Sequence, residues 1–408
     1  MTATLGALLL AVCALLAADA ILDNANEPAP VETPARAQLR KMVGQMLIIG
    51  FPGTSMAEEW PSRVARMIGD GEIGGVLLLS ENIRSPAQLK SLTAAFAEAG
   101  GPLQPFIAVD QEGGAVQRLT QSKGFSGLPS AGVVALSDPG AALALYSRQA
   151  EELAQSGITV NFGPVVDLNV NPYNPIIARL DRSYGDRADT IAPFARAFVK
   201  AHEDHGIMTA AKHFPGHGSS MTDSHQALAD ISESWTQEEL LPFKQLAGDR
   251  QPVPMIMVGH LVLNGYSDGD APTSLSHRTV TEILRKELSY DGLIITDDLD
   301  MGAVRGRYSV EEAFVKAAAA GNDLIMAANI RAPDPHLVTK VTAAIMDAVD
   351  RGEIPRSQIA QSYKRILAAK SRMFETRRIP KSRRGLSGLK HTCESGATRP
   401  YSLGKISC

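Results

Sequence analysis

The feature that most constrains this chain is a repeated alternation. Eight short runs rich in Val, Ile, Leu, Met and Ala, at 46–51, 75–80, 106–110, 159–167, 209–213, 254–260, 293–297 and 323–327, are spaced by amphipathic stretches of helical length at 85–98, 141–155, 189–205, 237–247, 278–288 and 310–320. Most of the runs are continuously apolar. A strand reads that way when both its faces are covered, as in a parallel sheet clad in helices. Eight such strands predict an α/β chain built as a single (β/α)8 TIM-type barrel. An open doubly wound sheet is the competing architecture, but no Gly-x-Gly-x-x-Gly follows the first run. Ser85 followed by Pro86 marks a helix start, an N-cap ahead of a proline at the first helical position. The periodic stretch 356–374 is predicted to be a closing helix.

The composition suits one large core, with 44% hydrophobic and 21% charged residues in 408. A net charge of −4 argues against a nucleic-acid binder acting through bulk charge. Three cysteines exclude a zinc ribbon or a dense disulfide scaffold. The charge is uneven. From Thr376 onward there are eight Lys/Arg and one acidic residue, a tail of +7 that leaves about −11 for the rest.

The expected organisation has four parts. Residues 1–20 carry an apolar run from Leu5 to Ala18, short of the roughly 20 residues of a membrane span, and end in Ala18-Asp19-Ala20. They read as a secretory signal peptide; an uncleaved anchor, or lipid attachment at Cys13, is the alternative. Residues 21–36 are a Pro- and Ala-rich linker, 37–375 the barrel, and 376–408 a basic tail too poor in apolar residues to fold alone. The protein is therefore expected to be exported, periplasmic or extracellular, or cytoplasmic if the segment is not a working signal. Cys393 and Cys408 would remain, as one disulfide or two free thiols. The tail is either a solvated extension or a weak tether to an anionic surface.

Chemistry in such barrels collects at the C-terminal ends of the strands. Asp110 and Glu112 follow the third run, Asp167 ends the fourth with Arg182 on its loop, Lys212 and His213 end the fifth, His260 ends the sixth, and Asp297-Asp298 end the seventh. Buried strands that end in charge demand a common cleft, because unpaired buried charge is costly. His213, His217 and His225 have some of the spacing of zinc ligands, but Pro215, Gly216 and Gly218 break the helix that spacing requires, and no metal is expected. Asp223-Ser224-His225 offers proton transfer instead: a carboxylate two residues from an imidazole can fix its tautomer and raise its pKa. Asp297 is a carboxylate nucleophile by position, or the partner of a barrel-mouth cation; Asp298 points the other way if the strand extends that far.

Lys212-His213-Phe214-Pro215-Gly216-His217-Gly218 with Asp223-Ser224-His225 resembles the signature of family 3 glycoside hydrolases of the β-N-acetylhexosaminidase type. Asp110-Gln111-Glu112-Gly113-Gly114 through Arg118, Arg182-Ser183-Tyr184-Gly185 and Thr296-Asp297-Asp298-Leu299 match in the same order. The resemblance spans about Lys41 to Phe374. It implies a barrel without a second sandwich domain, Asp297 as nucleophile, His225 as acid/base, and Asp223 as its partner. Asp110, Arg118, Arg182, Lys212 and His213 become the sugar-contacting set. Gln111 stands where His is common, and Ala115 where Arg is common.

The activity so implied is that of a retaining exo-β-N-acetylglucosaminidase, working through a covalent glycosyl-enzyme without metal or organic cofactor. A muropeptide or chito-oligosaccharide would be its substrate, and a monomer its state. The export segment departs from the cytosolic wall-recycling relatives. A phosphorylase or β-glucosidase of the same family, and an inactive wall-binding protein, are the alternatives.

Overall fold

The computed structural model describes residues 32–378. The signal segment, all three cysteines and the tail beyond 378 lie outside the described residues. The chain divides into Met1–Arg40 and Lys41–Cys408. In the first unit Arg40 pairs with Glu32 at 2.9 Å, and Thr33 Oγ1 accepts from Arg36 N at the start of helix Pro34–Gln45. That helix begins inside the stretch expected to be linker.

The second unit is the barrel. Its strands in chain order are β1 (Leu47–Gly50), β2 (Gly75–Leu78), β3 (Phe106–Val109), β4 (Val160–Asn161), β5 (Met208–Phe214), β6 (Ala229–Asp230), β7 (Met255–Val258), β8 (Leu261–Val262), β9 (Leu293–Thr296) and β10 (Ile325–Ala327). Eight run parallel in the order β10-β1-β2-β3-β4-β5-β7-β9, while β6 and β8 pair separately. The ring closes beside the Ile295–Leu324 bridge, where Leu324 N donates to Ile294 O at 3.0 Å and Thr296 N to Leu324 O at 3.2 Å. Every residue of the eight barrel strands is buried, which is why the runs read as continuously apolar.

The largest departure from expectation is the run 159–167. Only Val160–Asn161 is regular strand. Pro164 has no N–H to give, and Gly163 N turns back to Asn161 O at 2.9 Å. Pairing with β5 resumes at once, with Lys212 N on Pro164 O at 3.1 Å and Val166 N on Lys212 O at 2.8 Å, so the chain still delivers Asp167 to the mouth of the barrel. Two barrel helices also escape the sequence reading. In Glu59–Gly69, Pro61 sits in the first turn, where it breaks nothing. Leu337–Asp350 is rich in Val, Thr and Ile, and burial of its apolar stripe overrides that strand-like composition. The stretch 278–288 forms a π-helix at Arg278–Glu287. Helix Pro86–Gly100 opens as expected, with Ser85 Oγ accepting from Gln88 N at 3.3 Å.

The closing helix Arg356–Arg378 places Lys370 at the N-terminal end of the barrel. The ammonium is 2% exposed, donates to Gln45 Oε1 and Gly74 O at 2.8 Å each, and lies 4.9 Å from the centre of the Phe106 ring. Burial pushes its pKa down to about 7. An unfolded lysine holds its proton to about 10.4, so above pH 7 the unfolded chain binds a proton that the folded chain has shed. Stability is accordingly expected to rise between pH 7 and about 10, by up to about 1.4 kcal/mol per pH unit from this group. Lys370→Met should flatten that rise in denaturant melts recorded across the range.

Candidate active site

The strand ends do converge. A cleft of about 450 Å³ opens at the C-terminal mouth of the barrel, and Asp110, Arg118, Arg182, Lys212, His213, His225 and Asp297 all line it. Asp223 lies directly behind His225 and is bonded to it. The eight residues singled out from the sequence thus form one site.

One side of the cleft is an ion network. Arg182 grips Glu112 in a two-pronged bond, Nε to Oε2 at 2.7 Å and Nη2 to Oε1 at 2.8 Å, and its third arm donates to Ile176 O at 2.9 Å. Lys212 Nζ lies 2.6 Å from Glu112 Oε1 and 2.8 Å from Asp110 Oδ1, and Arg118 Nη2 reaches Asp110 Oδ2 at 3.3 Å. Burial pushes the Glu112 carboxyl up, but the Arg182 and Lys212 charges outweigh it and bring the pKa down to about 2. By the same balance, burial would lower Lys212 and the two carboxylates hold it above its ordinary value. Arg182, Lys212, Glu112 and Asp110 are thereby held in their charged forms at the wall of the cleft. Glu112 carries this arrangement and received no role from the sequence. The signal was there: Glu112 follows β3 by three residues, another charged group at a strand end.

Gln111 turns away from the cleft. Its amide oxygen accepts from Arg118 N at 2.8 Å and Leu119 N at 3.0 Å, and its own N–H meets Asn161 Oδ1 at 2.9 Å. It pins the base of the loop that carries Arg118.

Asp297 follows β9 directly. Its Oδ1 accepts from Asp298 N at 2.8 Å, and the residue lines the cleft. Burial raises its pKa, but the His213, His260 and His225 charges and the Asp298 amide outweigh it, and the carboxyl lies below its ordinary value. It is an anion at neutral pH. Strand alternation does not turn Asp298 away, because β9 stops at Thr296. Asp298 lines the same cleft, accepting from Asp300 N at 2.9 Å and Ala328 N at 2.8 Å. Burial pushes it up to about 7, with the charges of Asp300 and Asp297 adding to the effect. His260, fully buried, is bonded to Ser274 Oγ at 2.6 Å and to Asp298 O at 2.9 Å, and so braces the turn that presents Asp297.

His225 sits opposite, on the loop between β5 and β6, with its side chain 54% exposed. Its Nδ1 is 2.8 Å from Asp223 Oδ1, which also accepts its main-chain N–H at 2.9 Å. An Nδ1–H bonded to carboxylate leaves Nε2 to exchange protons with the cleft. His213 and His217 are committed elsewhere: His213 Nδ1 to Asp167 Oδ2 at 2.7 Å and His217 Nε2 to Ser224 Oγ at 3.0 Å. The three imidazoles therefore face three different partners. Asp167, unassigned from the sequence, has no exposure and also accepts from His217 N at 2.8 Å. The turn between them is tight: a Cβ at Gly218 would lie 1.8 Å from Leu168 O, so no side chain fits there.

Comparison with known proteins places this geometry. The family model described as "Glycosyl hydrolase family 3 N terminal domain" matches residues 38–369. "Beta-hexosaminidase A" of Pseudoalteromonas piscicida is 34% identical over 335 residues, 77% of this chain and 56% of that protein. A "Beta-hexosaminidase" of Alkalilimnicola ehrlichii is 35% identical over 293 residues, 69% of this chain and 80% of that one. Among solved structures, a family 3 β-N-acetylglucosaminidase of Paenibacillus sp. str. FPU-7 superposes with a TM-score of 0.75 at 31% identity, covering 90% of this chain and 65% of that one. A β-N-acetylhexosaminidase of Beutenbergia cavernae gives 0.72 at 29% identity, covering 82% and 98%. This chain thus spans little more than half of the Pseudoalteromonas relative. A buried carboxylate at a strand end, an Asp–His pair and a charged cleft stand on one barrel, and the chain belongs to glycosyl hydrolase family 3.

Proposed function

We propose that the protein is a retaining exo-β-N-acetylglucosaminidase that removes terminal N-acetyl-β-D-glucosamine from wall-derived or chitin-type oligosaccharides. The observation that carries this reading is the joint placement of Asp297, an anion, and the Asp223–His225 pair on the walls of one cleft beside the charged network. The names of the related hexosaminidases support the sugar class.

In the first step Asp297 Oδ2 attacks the anomeric carbon. The bond to the leaving oxygen breaks, and that oxygen takes the proton from Nε2 of His225, giving a glycosyl ester and a free alcohol. In the second step water gives a proton to Nε2 and attacks the anomeric carbon, returning Asp297 as carboxylate. Asp223 accepts the Nδ1–H throughout, so the ring keeps one orientation while Nε2 alternates. The network of Asp110, Glu112, Arg182 and Lys212 offers fixed charges to the hydroxyls of a single ring. Strengthening of those bonds as the ring distorts is what lowers the barrier. The targeting segment at 1–20 fits release of the enzyme outside the cytoplasm, with the mature chain beginning near Ile21.

Asp297→Ala is expected to abolish turnover with the melting temperature preserved. A 2-deoxy-2-fluoro glycoside should label the peptide that holds Asp297 in the wild type; a label on Asp298 or Glu112 would reassign the nucleophile. Because Asp297 titrates below its ordinary range, the acid limb of kcat/KM should lie below about pH 4.

In kcat/KM, which reports the first step, His225→Ala should slow poor leaving groups far more than activated aryl ones, since only the former need protonation, and Asp223→Asn should give the same pattern more weakly. A loss independent of leaving-group pKa in both variants would remove the acid role. Product analysis in phosphate buffer separates hydrolysis from transfer to phosphate: free sugar is expected, and sugar 1-phosphate would make the protein a phosphorylase.

The wild type should prefer nitrophenyl N-acetyl-β-glucosaminide to nitrophenyl β-glucoside, and truncating Arg182 or Lys212 should lower kcat/KM by roughly 10²-fold, the effect of leaving buried polar partners unpaired. Equal rates on the two glycosides would move the protein to the β-glucosidase branch.

A further inference from the structure

The Asp223–His225 bond cannot by itself aim the proton donor. Both residues ride on the same loop, two positions apart, and the segment from Pro215 to Leu228 contains neither helix nor strand. Wherever that loop moves, the pair moves with it intact. The direction of His225 relative to Asp297 must be set by bonds from the loop to the rest of the barrel.

Those bonds meet at the residue between the pair. Ser224 is 1% exposed, although His225 beside it is half-exposed. Its Oγ lies 3.0 Å from His217 Nε2, and His217, also 1% exposed, is tied through its main-chain N–H to the buried Asp167. From the other side, the turn that carries Asp297 reaches over. Gly302 N donates to His225 O at 3.0 Å, and Ala303 N to Ser224 O at 3.3 Å. The fit is close, for a Cβ at Gly302 would stand 2.4 Å from Gln226 O and 2.9 Å from His225 O. Burial, with the neighbouring His213 charge, pushes His217 down to about 4, so its ring stays neutral and can share a hydrogen with the Ser224 hydroxyl.

We propose that Ser224, held by His217 on one side and by the Gly302–Ala303 main chain on the other, is the positioning residue that aims His225 at the leaving-group oxygen. Asp167 then serves both halves of the site, since one of its oxygens holds the ring of sugar-facing His213 and the other the main chain of His217. The inference rests on the reading of His225 as the acid.

The test uses the purified protein and two N-acetyl-β-glucosaminides, one with a 3,4-dinitrophenyl leaving group that departs without help and one with phenyl, which needs a proton. Ser224→Ala should keep kcat/KM on dinitrophenyl, which reports the first step alone, within about threefold and lose at least about 30-fold in kcat/KM on phenyl, part of the 10²–10⁴-fold that a positioned acid supplies. Ser224→Thr, which keeps the hydroxyl, should restore the phenyl rate. Gly302→Ala, which leaves Ser224 in place but crowds the loop, should repeat the Ser224→Ala pattern, and it carries the test if Ser224→Ala does not fold. Equal losses on the two substrates, or no loss on phenyl, would overturn the positioning role. A wild type inactive on both would overturn the glycosidase reading itself, a result distinct from either.

Discussion

Asp167 has no contact with solvent, and its two oxygens take the main-chain N–H groups of His213 and His217 together with the ring of His213. A lone buried carboxylate is costly by several kcal/mol, and it persists only where such partners surround it. Burial pushes its pKa up, yet the bonded His213 and the main-chain N–H of His217 more than cancel that and hold it below the ordinary carboxylate value. The irregular run that begins with β4 ends at this residue, and the end of β5 and the turn after it are folded around it. Two parts of the cleft are reached from there: His213 directly, and the loop of His225 through His217 and Ser224.

Much of the architecture was legible because its cause is local. Strands buried on both faces must be apolar throughout, and the eight runs showed it. Helix starts with Ser85 and Pro86 chemistry announce themselves within four residues. What failed was decided at a distance. Leu337–Asp350 is helical because its stripe of Leu337, Val341 and Ile345 is buried, not because Val, Ile and Thr favour helix. The run 159–167 loses its regularity to Pro164, a residue visible in the sequence, but its continued pairing with β5 depends on partners fifty residues away.

The candidate site divides along the same line. Residues that touch substrate in the proposed mechanism have to be charged at strand ends, a pattern that stands out against apolar surroundings. Residues that hold them need not stand out. Glu112, Asp167, His260 and Ser224 do their work through bonds to other protein groups, and a single sequence shows the group without its partner. Asp298 is the instructive case. Alternation would face it away, but the strand ends two residues earlier, and the tight turn there brings two adjacent carboxylates into one cleft with opposite pKa shifts. One is held as the anion and its neighbour is pushed toward the protonated form, so the pair avoids placing two full charges side by side.

The bond from Lys370 to Gln45 joins residues 325 positions apart, and β10 completes the ring by pairing with β1. Both closures join the first part of the barrel to the last, so neither can form before residues 325–370 have been made. Contacts of such separation in sequence are slow to form even in a finished chain. A chain made only as far as β9 would carry strands without a ring and helices without a floor. The arrival of residues 325–370, more than any local folding event, is the moment at which this barrel becomes a closed object.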